Sequence, residues 1–207
     1  MAKMKQLCMI FMGKLLNEQP RFYSFRFKYY YNTFRISPDI FRRALRTGDY
    51  TEKREIHHYL ALGKYPEWLE FPVIFHQFEG NKLRDILDMG CGSFPFVISN
   101  RMKNLLEENQ VTGWNSFPII IFDKKENLIP GYNGFSITGR GGDYEGSNMP
   151  GWLDRKPWKY NLSNWDGSDI FFISGTVIVT ERIKIILEKN KIDKTEFHPF
   201  SEFAEFV

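Results

Sequence analysis

Two stretches of this chain carry the same succession of apolar and polar positions: Phe96 to Ile119 and Val177 to Phe200 align at one constant offset without a gap. Arg101, Lys103, Leu106, Glu107, Asn109 and Pro118 fall on Arg182, Lys184, Leu187, Glu188, Asn190 and Pro199. In each stretch an apolar run, Phe94 to Ile98 or Phe171 to Val179, stops at a hydroxyl residue, Ser99 or Thr180, and the pattern turns from strand-like to helical. A hydroxyl there suits an N-cap, because its oxygen can accept from the unpaired amides of the first turn. Met102, Leu105 and Leu106, like Ile183, Ile186 and Leu187, then recur at i, i+3 and i+4 and form one buried stripe. The helix should end near Asn109 or Asn190, and a short turn leads to a proline and a second apolar stretch. Each unit, 94–122 and 171–203, reads as strand, helix, strand. Two copies are too few for a solenoid. The expectation is an α+β fold: a single domain over residues 1–207 in which the two related units pack on a mostly antiparallel sheet.

The N-terminal segment, residues 1–60, has a different texture. RFYSFRFKYYYNTFR sets Arg21, Arg26, Lys28 and Arg35 among Phe22, Tyr23, Phe25, Phe27, Tyr29, Tyr30 and Tyr31. The alternation reads as an amphipathic strand, with Tyr23, Phe25 and Phe27 on one face and Ser24, Arg26 and Lys28 on the other. The same interleaving of cations and rings is suited to phosphates and bases, which makes a nucleic-acid-binding module one alternative function. Phe41 to Arg46, with Arg42, Arg43 and Arg46, should begin a helix after Ser37 and Pro38 and turn its charges to water. Up to Leu60 there are 12 Lys or Arg against 5 Asp or Glu, and beyond it 16 against 20, so the net charge of +3 conceals a basic start and a mildly acidic remainder.

With 43% hydrophobic residues, including 20 Phe, 10 Tyr and 5 Trp, the chain has material for one sizeable core. Cys8 and Cys91 lie far apart in sequence and suggest free thiols in a reducing compartment. Leu7 to Met12 is too short for the apolar core of a signal peptide, and no run approaches the roughly 18 apolar residues that span a bilayer. A cytoplasmic protein without a membrane partner is expected.

Motifs for chemistry are sparse. Asp85 to Gly92, DILDMGCG, resembles the first motif of S-adenosylmethionine-dependent methyltransferases through Asp88, Gly90 and Gly92. That family's third glycine falls on Phe94, followed by Pro95, where the turn needs free backbone, so a methyltransferase is the lesser alternative. His57 and His58 are adjacent and point roughly 100° apart on a helix, unsuited to sharing a metal. His198 replaces Phe117 of the first copy, which argues for packing. The Gly-rich ITGRGGDYEGSNMPGW lacks the Lys-Ser/Thr ending of a P-loop. No catalytic, cofactor-binding or metal-binding residue is assigned, and no cofactor is expected.

Tryptophans at 152, 158 and 165 stand in a poorly periodic stretch ending in NWDGSDIFF. They are read either as anchors for a partner or as lids over the sheet. Asp166-Gly167-Ser168 is good turn chemistry. From there the pattern WDGSDIFFISGTVIVTERIKIILEKNKIDKTEFHPFSEF resembles the end of predicted immunity proteins of bacterial polymorphic toxin systems, the families numbered eleven and forty-three. Trp165, Asp166, Gly167, Asp169, Val179, Thr180, Glu181, Lys184, Pro199 and Phe200 carry the resemblance, and PFVISNRMKNLLEE adds to it. It covers the C-terminal half of the chain, from the first repeat copy onward. The resemblance implies an α+β protein without enzymatic activity that binds and neutralises a cognate protein toxin. Trp152, Trp158, Trp165, Asp166 and Asp169 are the candidate partner-binding residues.

Overall fold

A computed structural model of the chain describes residues 21–27, 31–48, 56–87, 97–141, 158–160, 162–173, 176–193, 195–202 and 204–206. Along the chain these form β1 (Phe22–Phe27), β2 (Arg35–Pro38), α1 (Asp39–Thr47), α2 (Ile56–Leu62), β3 (Val73–Glu79), β4 (Ile86–Leu87) and β5 (Val97–Ser99). There follow α3 (Asn100–Glu108), β6 (Trp114–Phe117), β7 (Ile119–Phe122), β8 (Tyr132–Ile137), β9 (Gly139–Arg140) and β10 (Trp158–Tyr160). Last come β11 (Ile170–Ile173), β12 (Thr176–Thr180), α4 (Glu181–Lys189), β13 (Thr195–Pro199) and β14 (Ala204–Phe206). The protein is α+β, with sheets ordered β13-β1-β12-β11-β9, β4-β5-β8-β6, β2-β3-β7 and β10-β14. No helix among the described residues is long and apolar enough to cross a membrane.

The sequence repeat is a structural repeat. Helices α3 and α4 keep the offset of the sequence alignment at both ends. Each ends at an asparagine whose side-chain amide donates back to a carbonyl of the last turn, Asn109 to Leu105 at 2.8 Å and Asn190 to Ile186 at 2.9 Å. The next residue then takes a positive φ, 50° at Gln110 and 51° at Lys191. Met102 and Leu106, like Ile183 and Leu187, are buried, as the stripe requires. The two caps differ. Ser99 accepts from the amide of Met102 at 3.1 Å, whereas Thr180 makes no cap bond and its hydroxyl donates instead to Asp169 at 3.2 Å. One hydroxyl can serve both partners only if its rotamer reaches both, and the β-branched threonine has fewer rotamers to choose from.

Neither unit closes its own sheet. β5 and β6 are separated by β8, which is antiparallel to both, and β12 and β13 are separated in the same way by β1. Tyr132 pairs with Ser99 as Phe22 pairs with Thr180, and Gly134 with Phe117 as Ser24 with His198, so β8 stands in the first unit where β1 stands in the second. Each repeat copy thus begins with a strand that completes the sheet of the other. The correspondence also runs further back than 94 and 171. β3 pairs in parallel with β7, and in the second copy β10 pairs in parallel with β14. In the sequence ahead of these strands, Pro66, Trp68 and Leu69 recur as Pro150, Trp152 and Leu153.

Two expectations change. The apolar run from Phe171 to Val179 is not one strand; β11 and β12 fold back as an antiparallel hairpin, with Ile170 opposite Val179. Ser174, Gly175 and Thr176 interrupt the run, and a Ser-Gly pair between two apolar stretches suits a turn, so each half becomes a strand of its own. β1 forms as a strand, but its two faces are both covered over Phe22–Phe25, while Arg26 is exposed as expected. Phe25 belongs to the main core, while Phe22 joins Phe171, Ile173, Ile178 and Phe200 in a second cluster, and Ser24 is 1% exposed. The cause is that an apolar cluster lies on each side of this part of the strand. The helix containing Arg42, Arg43 and Arg46 begins at Asp39 directly after Pro38, as expected.

Gly134 marks the tightest fit at the exchanged strands. A Cβ there would lie 2.2 Å from the Phe117 ring, which is itself buried. Gly134→Ala should lower unfolding free energy by about 1–3 kcal/mol, read as a lower urea midpoint at unchanged m-value.

Candidate functional site

Of the residues singled out by sequence, Trp152 lies outside the described residues. Trp158 opens β10 opposite Ala204. Trp165, Asp166 and Asp169 share the turn that leads into β11. The Trp165 indole donates to the carbonyl of Ser168 at 3.1 Å, and its ring meets Phe22 edge-on at 5.1 Å and Phe171 at 5.6 Å. Asp166 accepts from the amides of Ser168 at 3.0 Å and Arg140 at 2.9 Å, and Gly167 supplies the positive φ of 81° that the turn needs. Partial burial works to raise the Asp166 carboxyl, but the bonds from Ser168 and Arg140 outweigh it and hold the group below its ordinary value.

Asp169 faces inward, to the seam between the copies. It accepts from the Thr112 amide at 3.0 Å, from Thr180 Oγ1 at 3.2 Å and from Arg182 at 2.7 Å. The same guanidinium donates to the carbonyl of Asn109, at the end of α3. Asp85 repeats this arrangement in the other copy. It accepts from Ser99 Oγ at 2.7 Å, from the Arg101 guanidinium and from the Asp193 amide at 2.9 Å. Arg101 in turn donates to the carbonyls of Asn190 and Lys191, each at 3.1 Å, at the end of α4. An arginine in the first turn of each helix therefore caps the negative end of the other helix's dipole.

The two clasps differ in depth. Asp85 is 8% exposed. Burial pushes its carboxyl up, yet bonds from Arg101, Asp193 and Ser99 overcome that and leave it below the usual carboxylate range. Arg101 is held up chiefly by its bond to Asp85. Burial, together with the Asp85 charge, pushes the Tyr132 hydroxyl up to about 12.

Other titratable groups are dispersed. Burial lowers His57, and His58 is exposed. His76 lies 3.6 Å from Asp39 and 3.8 Å from Glu126, and His198 lies 3.4 Å from Glu196. Several cations of the basic N-terminal segment are engaged in ion pairs, Arg21 with Glu181, Arg35 with Glu79 and Arg43 with Asp39. Among the described residues no three His, Cys, Asp or Glu side chains are disposed to hold a metal ion. Asp88, Gly90, Cys91 and Gly92 of the methyltransferase-like motif lie outside the described residues.

Tyr31, Leu83, Leu128 and Ile185 are exposed at separate places in the chain, and one group of exposed apolar side chains lies where sequence reasoning placed nothing. Between α2 and β3, and along β3, Tyr65, Phe71, Ile74 and Phe78 are between 37% and 40% exposed. The loop is firmly held. Tyr65 hydrogen-bonds Ser136 at 2.9 Å, Ser136 donates to the carbonyl of Leu60, and the Leu69 amide donates to the carbonyl of Pro66 at 3.0 Å. Tyr65 and Phe71 pack ring to ring at 5.0 Å over the buried Phe117, and the Val73 amide donates to Pro118. Burial pushes the Tyr65 hydroxyl up, against the opposing bond with Ser136. Ile74 pairs in register with Ile120 on β7, so both point to the outer face of the sheet. The sequence signal was the run YPEWLEFP, aromatics fenced by prolines and free of helical or strand period.

Arg101→Ala should cost about 3 kcal/mol, because it leaves a buried carboxylate without its cation, and should cost more than Arg182→Ala. Because the folded Asp85 carboxyl sits below its unfolded value, its stabilisation is complete above roughly pH 3.9 and is lost as pH falls through the lower folded value. Urea unfolding at a series of acid pH values should show Asp85→Asn losing less stability over that fall than wild type. Trp165→Ala should lower stability by about 1–3 kcal/mol by opening the cluster around Phe22 and Phe171, seen in thermal melts. No protein-family model matches this chain, and no curated protein sequence matches it.

Proposed function

We propose that the chain is a non-enzymatic immunity protein that acts in the cytoplasm, binding a cognate protein toxin and neutralising it. The observation that carries this reading is the apolar strip of Tyr65, Phe71, Ile74 and Ile120. Tyr65, Phe71 and Ile74 are exposed there, with the half-buried Ile120 beside Ile74, on a loop and strand held by internal hydrogen bonds. Exposed aromatics that lose little freedom on association are what a binding surface needs. The carboxylates and guanidinia most tightly gathered in the fold, by contrast, join the two copies to each other. The sequence resemblance to predicted immunity proteins supports the same reading. A nucleic-acid-binding role is the second reading and is less favoured, because Arg21, Arg35 and Arg43 of the basic segment already face carboxylates.

The test is growth rescue. Each gene neighbouring this one is expressed alone and then together with it. One neighbour should be lethal alone and harmless in combination, and the two products should co-purify. If no lethal neighbour is relieved, the proposal fails.

A further inference from the structure

The duplication supplies an internal control for the exposed strip. β3–β7 and β10–β14 are the parallel pairs at the same place in the strand order of the two copies, and counted from the proline ahead of each, Pro72 or Pro157, Val73 corresponds to Trp158 and its partner Ile119 to Ala204. At three of the positions that face inward in the first copy, both copies are bulky and apolar: Val73 is matched by Trp158, Phe75 by Tyr160 and Ile121 by Phe206, while Ile119 is matched by the small apolar Ala204. At the outer positions they part. Ile74 opposite Ile120 in the first copy is Lys159 opposite Glu205 in the second. In the sequence just ahead, Phe71 precedes Pro72 where Lys156 precedes Pro157. A backbone that accepts a Lys–Glu pair at this place does not need two isoleucines there to fold. Leaving apolar groups in water carries an aggregation risk that selection removes unless the surface is used.

From this divergence we infer that the outer face of β3–β7, with Phe71 and Tyr65 at its end, is the docking surface of the first copy, and that its occupant is a protein presenting an apolar protrusion flanked by lysine or arginine. The inference rests on the reading of this chain as a toxin-binding protein. The charge of the partner follows from the rim. Glu67 and Glu70 project from the same loop, exposed. Neither side chain has a hydrogen-bond or ion-pair partner among the described residues, in contrast to Asp39, Glu79, Asp85, Glu107, Asp169 and Glu188, which all do. The loop's one exposed ammonium, Lys64, leaves the rim with an acidic excess. Unpaired carboxylates beside an apolar centre steer a basic partner and set its orientation.

The experiment transplants the second copy's side chains onto the first. The double variant Ile74→Lys, Ile120→Glu is compared with wild type in growth rescue and in binding to the purified toxin that wild type relieves. It should remain folded and monomeric, lose rescue, and bind roughly 30-fold or more weakly. Glu67→Gln, Glu70→Gln should bind roughly fivefold more weakly at low salt, with the difference shrinking at high salt. Wild-type rescue together with undiminished rescue and binding by the isoleucine variant overturns the surface and leaves the function standing. A wild-type dimer that this variant converts to monomer overturns the occupant, which is then a second copy. Should the isoleucine variant fail to fold, unchanged affinity and salt dependence in the glutamate variant overturn the proposal. If wild type rescues no neighbour, the functional reading falls and this inference falls with it.

Discussion

Two carboxylates hold the copies of this duplicated fold in register. Asp85 and Asp169 each bind the hydroxyl that ends their own hairpin, the arginine in the first turn of their own helix, and a backbone amide of the other copy. Each arginine then reaches the far end of the opposite helix. The donors around Asp85 hold its carboxyl below the ordinary value although it is buried, and both helix ends gain the cations that their dipoles favour. Both clasps span the seam, so neither can form until both copies are folded. That makes the joint a cooperative element of the fold.

Strand exchange follows the same logic at the level of the sheet. Each strand-helix-strand unit of this fold leaves a gap between its two parallel strands, and an antiparallel strand of the other copy fills it. β8 and β1 do so reciprocally. The arrangement pairs both edges of β1, from the segment richest in cations and rings, and brings Phe22 and Phe25 of that strand into two apolar clusters. It explains why Gly134 is needed. The filling strand must pass close to Phe117, and a side chain at that point would collide with the ring.

The two copies carry different residues at corresponding positions of their paired parallel strands. Ile74 and Ile120 of the first correspond to Lys159 and Glu205 of the second, counted from the proline ahead of each pair. In the first copy the isoleucines share the outer face of β3 and β7, and the loop that carries Tyr65 and Phe71 leads into β3. On the proposed reading, the second copy shows what the backbone accepts and the first shows what a partner asks of it in addition.

The sequence by itself determined the local units. The helix stripes of Met102 and Leu106 or Ile183 and Leu187, the hydroxyls before each helix and the asparagines after it all act over a few residues, so their spacing suffices. Tertiary structure alone decided which strand fills each gap and that Trp165 and Asp169 make internal contacts. It also decided that Phe71 and Ile74 are left in water. A pattern of polarity states which groups must be covered, but the covering group can lie anywhere in the chain, as Asn190 does for Arg101 from the far end of the other copy's helix. Which partner arrives is settled only when all the elements compete for the same buried positions.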